Sequence, residues 1–188
     1  MHAGRPERTT VGMGASAFFG AWHEFFVLVG TASATLVGLM FVAVSITAGY
    51  MTEELRPGLS VFLSPTIVNF ATVLVACLTL LVPADARVTG GILVAIGVFS
   101  VIHALLVFAG VERILREPDN NLGGDDHVFY GIAPIACAIA LLAGACFVLA
   151  QSFASPWVLA GALVATLVLC IRNAWDVTVW AVIRSPNG

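Results

Sequence analysis

Apolar residues along this chain do not alternate with polar ones; they fall into five long blocks separated by short polar stretches. The blocks cover residues 22–50, 61–82, 91–111, 130–150 and 156–183. Each is close to the ~20 apolar residues that carry a helix across a hydrocarbon core ~30 Å thick. A membrane β-barrel would instead show segments of about ten residues alternating between lipid and lumen. The pattern therefore predicts an all-α, polytopic integral membrane protein. It reads as a bundle of about five transmembrane helices forming one domain over residues 1–188.

Polar punctuation marks the ends. Glu53, Glu54, Arg56 and Pro57 lie in the first connection, and Ser64 with Pro65 fits the cap and first turn of helix two. Pro83 and Asp85 close that helix. Residues 112–129, with Pro118, Asn120, Asn121, Gly123 and Gly124, predict an exposed polar loop. Phe18, Phe19, Trp22, Phe25 and Phe26 recur at helical spacing and suggest an aromatic stripe at headgroup level.

Composition agrees with the blocks. Hydrophobic residues make up 60% and charged residues 10%, far below the ~25% charged typical of soluble domains. The net charge of −3 offers no basic patch, so no nucleic acid partner is expected. All eight basic side chains are arginine, a composition that suggests a GC-rich bacterial genome and an inner (plasma) membrane location. An odd number of crossings puts the termini on opposite faces. Arg5, Arg8 and Arg87 then face Arg56, Arg113, Arg116 and Arg184, a balance too even to orient the chain by the positive-inside rule.

Few residues offer chemistry. Cys77, Cys137, Cys146 and Cys170 lie inside apolar blocks without paired spacing and read as small buried residues, so neither metal nor cofactor is expected. His23 and Glu24 are adjacent, and neighbours on a helix diverge by 100°; no catalytic constellation is read, and an enzyme is not expected. Asn69 and His103 read as buried polar groups needing partners on neighbouring helices, Asn69 most simply a hydroxyl of helix one. Arg172 and Asp176, four apart, can pair on helix five near a membrane interface.

Helix one is the most informative. At 100° per residue, Glu24, Leu28, Thr31, Thr35, Gly38, Val42, Ser45 and Gly49 share one face that is largely small or hydroxylated. Gly30, Ala34 and Gly38 form a four-residue stripe suited to close helix packing. The polar face has two readings, tight packing against another helix or the lining of a pore. Thr31–Ser45 resembles the first, pore-lining helix of the Orai calcium-channel family over a short low-complexity stretch. It departs at Ile46, where that family has its filter glutamate, so no family is assigned on it.

These observations lead to the expectation of a homo-oligomeric channel for ions or small solutes, embedded in membrane lipids. Glu24, Thr31, Thr35, Gly38, Val42 and Ser45 would line it. A non-catalytic subunit that packs on a partner protein is the alternative, and a membrane enzyme or cofactor carrier using His103 or the Arg172–Asp176 pair stands third.

Overall fold

The computed structural model describes residues 10–48, 56–115 and 128–183. Among these there are five α-helices, one π-helical turn and no strand. They are α1 (Thr10–Ala48), α2 (Arg56–Leu81), α3 (Ala86–Leu115), the π-turn (Val128–Ile132), α4 (Ala133–Leu149) and α5 (Ser155–Ile183). Four apolar spans within them are long enough to cross a bilayer: Trp22–Ser45, Ala86–Gly110, Val128–Leu149 and Ser155–Asp176. The apolar part of α2, Pro65–Leu81, is shorter. The chain is a helical membrane bundle.

Helix ends differ from the apolar blocks, because backbone hydrogen bonding continues past the hydrocarbon limit that the blocks record. α1 starts at Thr10 rather than 22, and α3 at Ala86 rather than 91. α2 starts at Arg56, which leaves Pro65 inside the helix and puts Pro57 in the first turn. A proline in the first turn loses only an N–H that would have no helical partner. α3 runs to Leu115, into the predicted loop, while residues 116–127 of that loop lie outside the described residues.

Two antiparallel hairpins build the bundle. In the first, Gly30 of α1 meets Cys77 of α2, and the Ser33 hydroxyl donates to the Phe70 carbonyl at 2.7 Å. In the second, Gly90, Gly97 and Phe108 of α3 face Leu149, Leu142 and Gly131 in turn. A Cβ on Gly97 would lie 2.9 Å from the Leu142 Cα. Only glycine lets these two backbones approach so closely, since no rotamer of a neighbour could relieve that clash. α5 packs on both hairpins, chiefly on α4 and α2. It is the most enclosed of the four long spans, through Leu159, Leu163, Leu167 and Cys170.

Short turns fix the order. Pro83 cannot extend α2, and the Asp85 carbonyl accepts from Thr89 N–H at 3.0 Å to begin α3. α4 closes through Ser152 N–H to Phe147 carbonyl and Gln151 N–H to Val148 carbonyl, each 3.0 Å, with Gln151 at φ 52°. This is a Schellman cap with glutamine where glycine is usual. One face of the bundle thus holds Trp22, the Pro83–Asp85 turn and the Gln151 turn. The other holds Ser45, Gly110, the π-turn and Asp176.

Candidate functional site

Helix one turns its polar face outward. Among its described side chains the buried ones are Phe26, Val29, Gly30, Ser33 and Met40, and Gly49 lies outside the described residues. At 100° per residue these centre on the side opposite Glu24, Thr31, Thr35, Gly38, Val42 and Ser45, every one of which is exposed. A Cβ added at Gly38 would touch nothing within 4 Å. Of the Gly30, Ala34 and Gly38 stripe, only Gly30 is used in packing within the chain. The Thr35 hydroxyl donates to the Thr31 carbonyl at 2.9 Å and Ser45 to Phe41 at 2.8 Å, so both protons are satisfied inside the helix and each oxygen keeps lone pairs facing outward.

The aromatic residues of α1 lie at the start of its membrane span and also pack on α5. Phe26 is buried, and Trp22 stacks edge-on against Trp157 of α5 with centroids 4.7 Å apart. They join the first turn of α5 to α1. The reason is geometric, because these rings share the inward side of α1 with Val29 and Ser33. Phe18 and Phe19 side chains lie outside the described residues.

Arg172 and Asp176 occupy the far end of α5. Arg172 Nη1 lies 3.4 Å from Asp176 Oδ2, with both side chains 38% exposed. The distance suits an ion pair, yet Nη1 is buried and has no hydrogen-bond partner; the attraction is therefore Coulombic rather than a directed bond. The guanidinium carbon Cζ lies over the Phe129 ring, 3.4 Å from its centroid, where the ring face attracts a cation. Beside it the Asn173 amide donates to the Phe129 carbonyl at 3.4 Å, and the Tyr130 hydroxyl donates to the Asn173 carbonyl at 3.2 Å. Asn173 is buried, and its Oδ1 is unpartnered. The pair that the sequence offered is thus one part of a cluster clamping the π-turn to α5. Phe129 and Tyr130 were not legible as members. A π-turn leaves no compositional trace; Phe129 fell at the end of the predicted loop and Tyr130 at the start of the fourth block, and their only signal was aromatic character.

Asn69 finds its surroundings away from α1. It lies within hydrogen-bonding reach of Cys170 on α5 and lines a cavity of about 10 Å³ with Thr72, Ser100, Cys137 and Thr166. That volume is near the lower limit for one water molecule. The hydroxyls of Thr72 and Thr166 donate to Val68 and Ala162 carbonyls at 2.9 and 2.7 Å, so their oxygens can accept from whatever sits between the helices. His103 is half-buried and stacks on exposed Phe99 at 6.0 Å between centroids. Its imidazole turns to this outer surface and makes no hydrogen bond to a neighbouring helix among the described residues, unlike the sequence expectation.

The four cysteines are free thiols, Cys77 and Cys170 buried, Cys137 half-buried and Cys146 exposed. No three His, Cys, Asp or Glu side chains converge among the described residues. Comparison with known protein families, with curated proteins and with solved structures finds no match.

Proposed function

We propose that this chain is the non-enzymatic repeating subunit of an oligomeric membrane channel for ions or small solutes, with α1 innermost. The observation that carries the reading is the opposition of faces on α1. The packing side is taken up by α2, while the side bearing Glu24, Thr31, Thr35, Gly38, Val42 and Ser45 is left uncovered. α3 adds a comparison: its exposed side chains include Ile92, Val98, Phe99, Ile102, Leu105 and Leu106 without a hydroxyl among them, whereas the exposed side of α1 mixes Leu28, Leu39 and Phe41 with Thr31, Thr35 and Ser45. Lipid suits the apolar side chains, whereas hydroxyl oxygens can replace part of the water around a permeant ion. Glu24 at one end would attract cations, and Val42 would form an apolar constriction that gates by dewetting. The all-arginine composition supports a bacterial inner membrane as the setting.

Flux into liposomes containing the purified protein tests this. Val42→Ser is expected to raise leak, and Glu24→Gln to lower cation selectivity. Protein that carries no flux in either form contradicts the proposal.

One observation favours a second reading, a scaffold subunit whose α1 docks on a partner's helix. The Thr35 and Ser45 protons are already bonded to their own helix, so the face tolerates an apolar neighbour. A closed ring in detergent separates the channel from this reading, for which a monomer is expected.

A further inference from the structure

A second uncovered feature lies on the other side of α1. A groove of about 800 Å³ runs along α5, with Trp22, Phe25 and Trp157 at one end and Phe129 and Arg172 at the other. Its floor is recessed because α5 places Ala160, Gly161 and Ala165 there, and a Cβ on Gly161 would touch nothing within 4 Å. From Gly161 to Arg172 the helix rises roughly 16 Å, close to one leaflet of a hydrocarbon core ~30 Å thick. The groove is apolar along this length and cationic at its end.

Arg172 makes the occupant specific. A guanidinium has five N–H donors and cannot lose its charge. Here Asp176 supplies attraction at 3.4 Å without a directed hydrogen bond, and Phe129 covers one face. The remaining exposed edge borders an apolar groove within the span Ser155–Asp176. Near the end of the span, at headgroup depth, a lipid phosphate is an acceptor that the bilayer brings. A second copy of the chain does not bring one from α1. Copies inserted in the same orientation keep Glu24 and Asp85 at the opposite face of the membrane; Glu112 of α3 shares the face of Arg172, so a neighbouring copy is distinguished by the cross-linking arm of the test below.

We propose that this groove binds a glycerophospholipid, with one acyl chain along Val168, Ala165 and Gly161 and its phosphate accepting from Arg172. The phosphate accepts from the exposed edge of the guanidinium, away from the buried Nη1 that faces Asp176, and the chain fills the volume that the small residues of α5 leave open. The proposal does not depend on the channel reading.

The test uses delipidated full-length protein in detergent, with dioleoylphosphatidylglycerol compared against dioleoylglycerol, which has the same chains and no phosphate. Lipid retained in native mass spectrometry and the shift in unfolding midpoint are read for each. Wild type is expected to retain the phospholipid roughly tenfold better, the worth of one charge-assisted hydrogen bond. The double variant Arg172→Gln with Asp176→Asn leaves no lone charge and is expected to bind the two lipids alike. Gly161→Leu is expected to lose both, whereas Ile102→Ala on the outer side of α3 retains the preference. Equal retention of the two lipids by wild type, or a preference that survives the double variant, reveals ordinary annular lipid and overturns the proposal. Efficient cross-linking of Ala165→Cys between copies overturns it too, because a protein helix then occupies the groove.

Discussion

Ser33 and Thr35 stand two positions apart on α1 and bond in different ways. Ser33 is fully buried and donates across to the Phe70 carbonyl, while Thr35 donates to its own helix and faces outward. Interhelical hydrogen bonds within membranes contribute roughly 0.6 to 2 kcal/mol. Ser33→Ala should therefore lower stability by about 1 kcal/mol in a denaturation titration, and Thr35→Ala should leave the isolated subunit's stability near wild type. Arg172 and Asp176 pose a different test. Removing either alone leaves an unmatched charge in a partly apolar setting, so each single neutral variant should be less stable than the double. The comparison is made in a thermodynamic cycle; a double variant as unstable as the worse single would show that the two do not act as a pair.

The helices show how far the sequence could be read. Five blocks of apolar residues become five helices, because the hydrocarbon core demands a run of such residues whatever their identity. The ends were not legible. Helical bonding in α1 begins at Thr10 and in α2 at Arg56, where side chains are indifferent to lipid but the backbone still pairs with itself. On α1 the grouping of Glu24 with Thr31, Thr35, Gly38, Val42 and Ser45 follows from helical periodicity alone. Which way that group turns did not, since α2 could have packed on either side. The partner of Asn69 was similarly hidden, because only the position of α5 brings Cys170 and Thr166 beside it. At the α4–α5 turn, Gln151 holds a left-handed conformation that costs a side-chain-bearing residue roughly 1 kcal/mol or more. Gln151→Gly should stabilise the protein by about 0.5 to 1 kcal/mol, offset in part by the freer unfolded chain. A raised unfolding midpoint with unchanged oligomeric state is the expected result.

At the scale of the whole molecule, the antiparallel order of helices sets which polar groups share a membrane face. Asp85 and Gln151 lie together at one face and Asp176 at the other, so single cysteines at Asp85 and Gln151 should label from the side opposite to one at Asp176. The same order leaves α1 at the edge of the bundle, joined to α2 along its length and to α5 chiefly at the Trp22–Trp157 contact. That edge position is what allows a ring of subunits to bring several copies of α1 to one axis. The most direct measurement is a cysteine-accessibility scan from Thr31 to Ser45 on reconstituted protein, reading block of flux by a membrane-impermeant thiol reagent, in a background with Cys77, Cys137, Cys146 and Cys170 replaced. Block concentrated at Thr31, Thr35, Gly38, Val42 and Ser45, and absent at Gly30, Ser33, Val37 and Met40, is the predicted result. No block at any of these positions, or block following the buried side, would contradict a pore lined by α1.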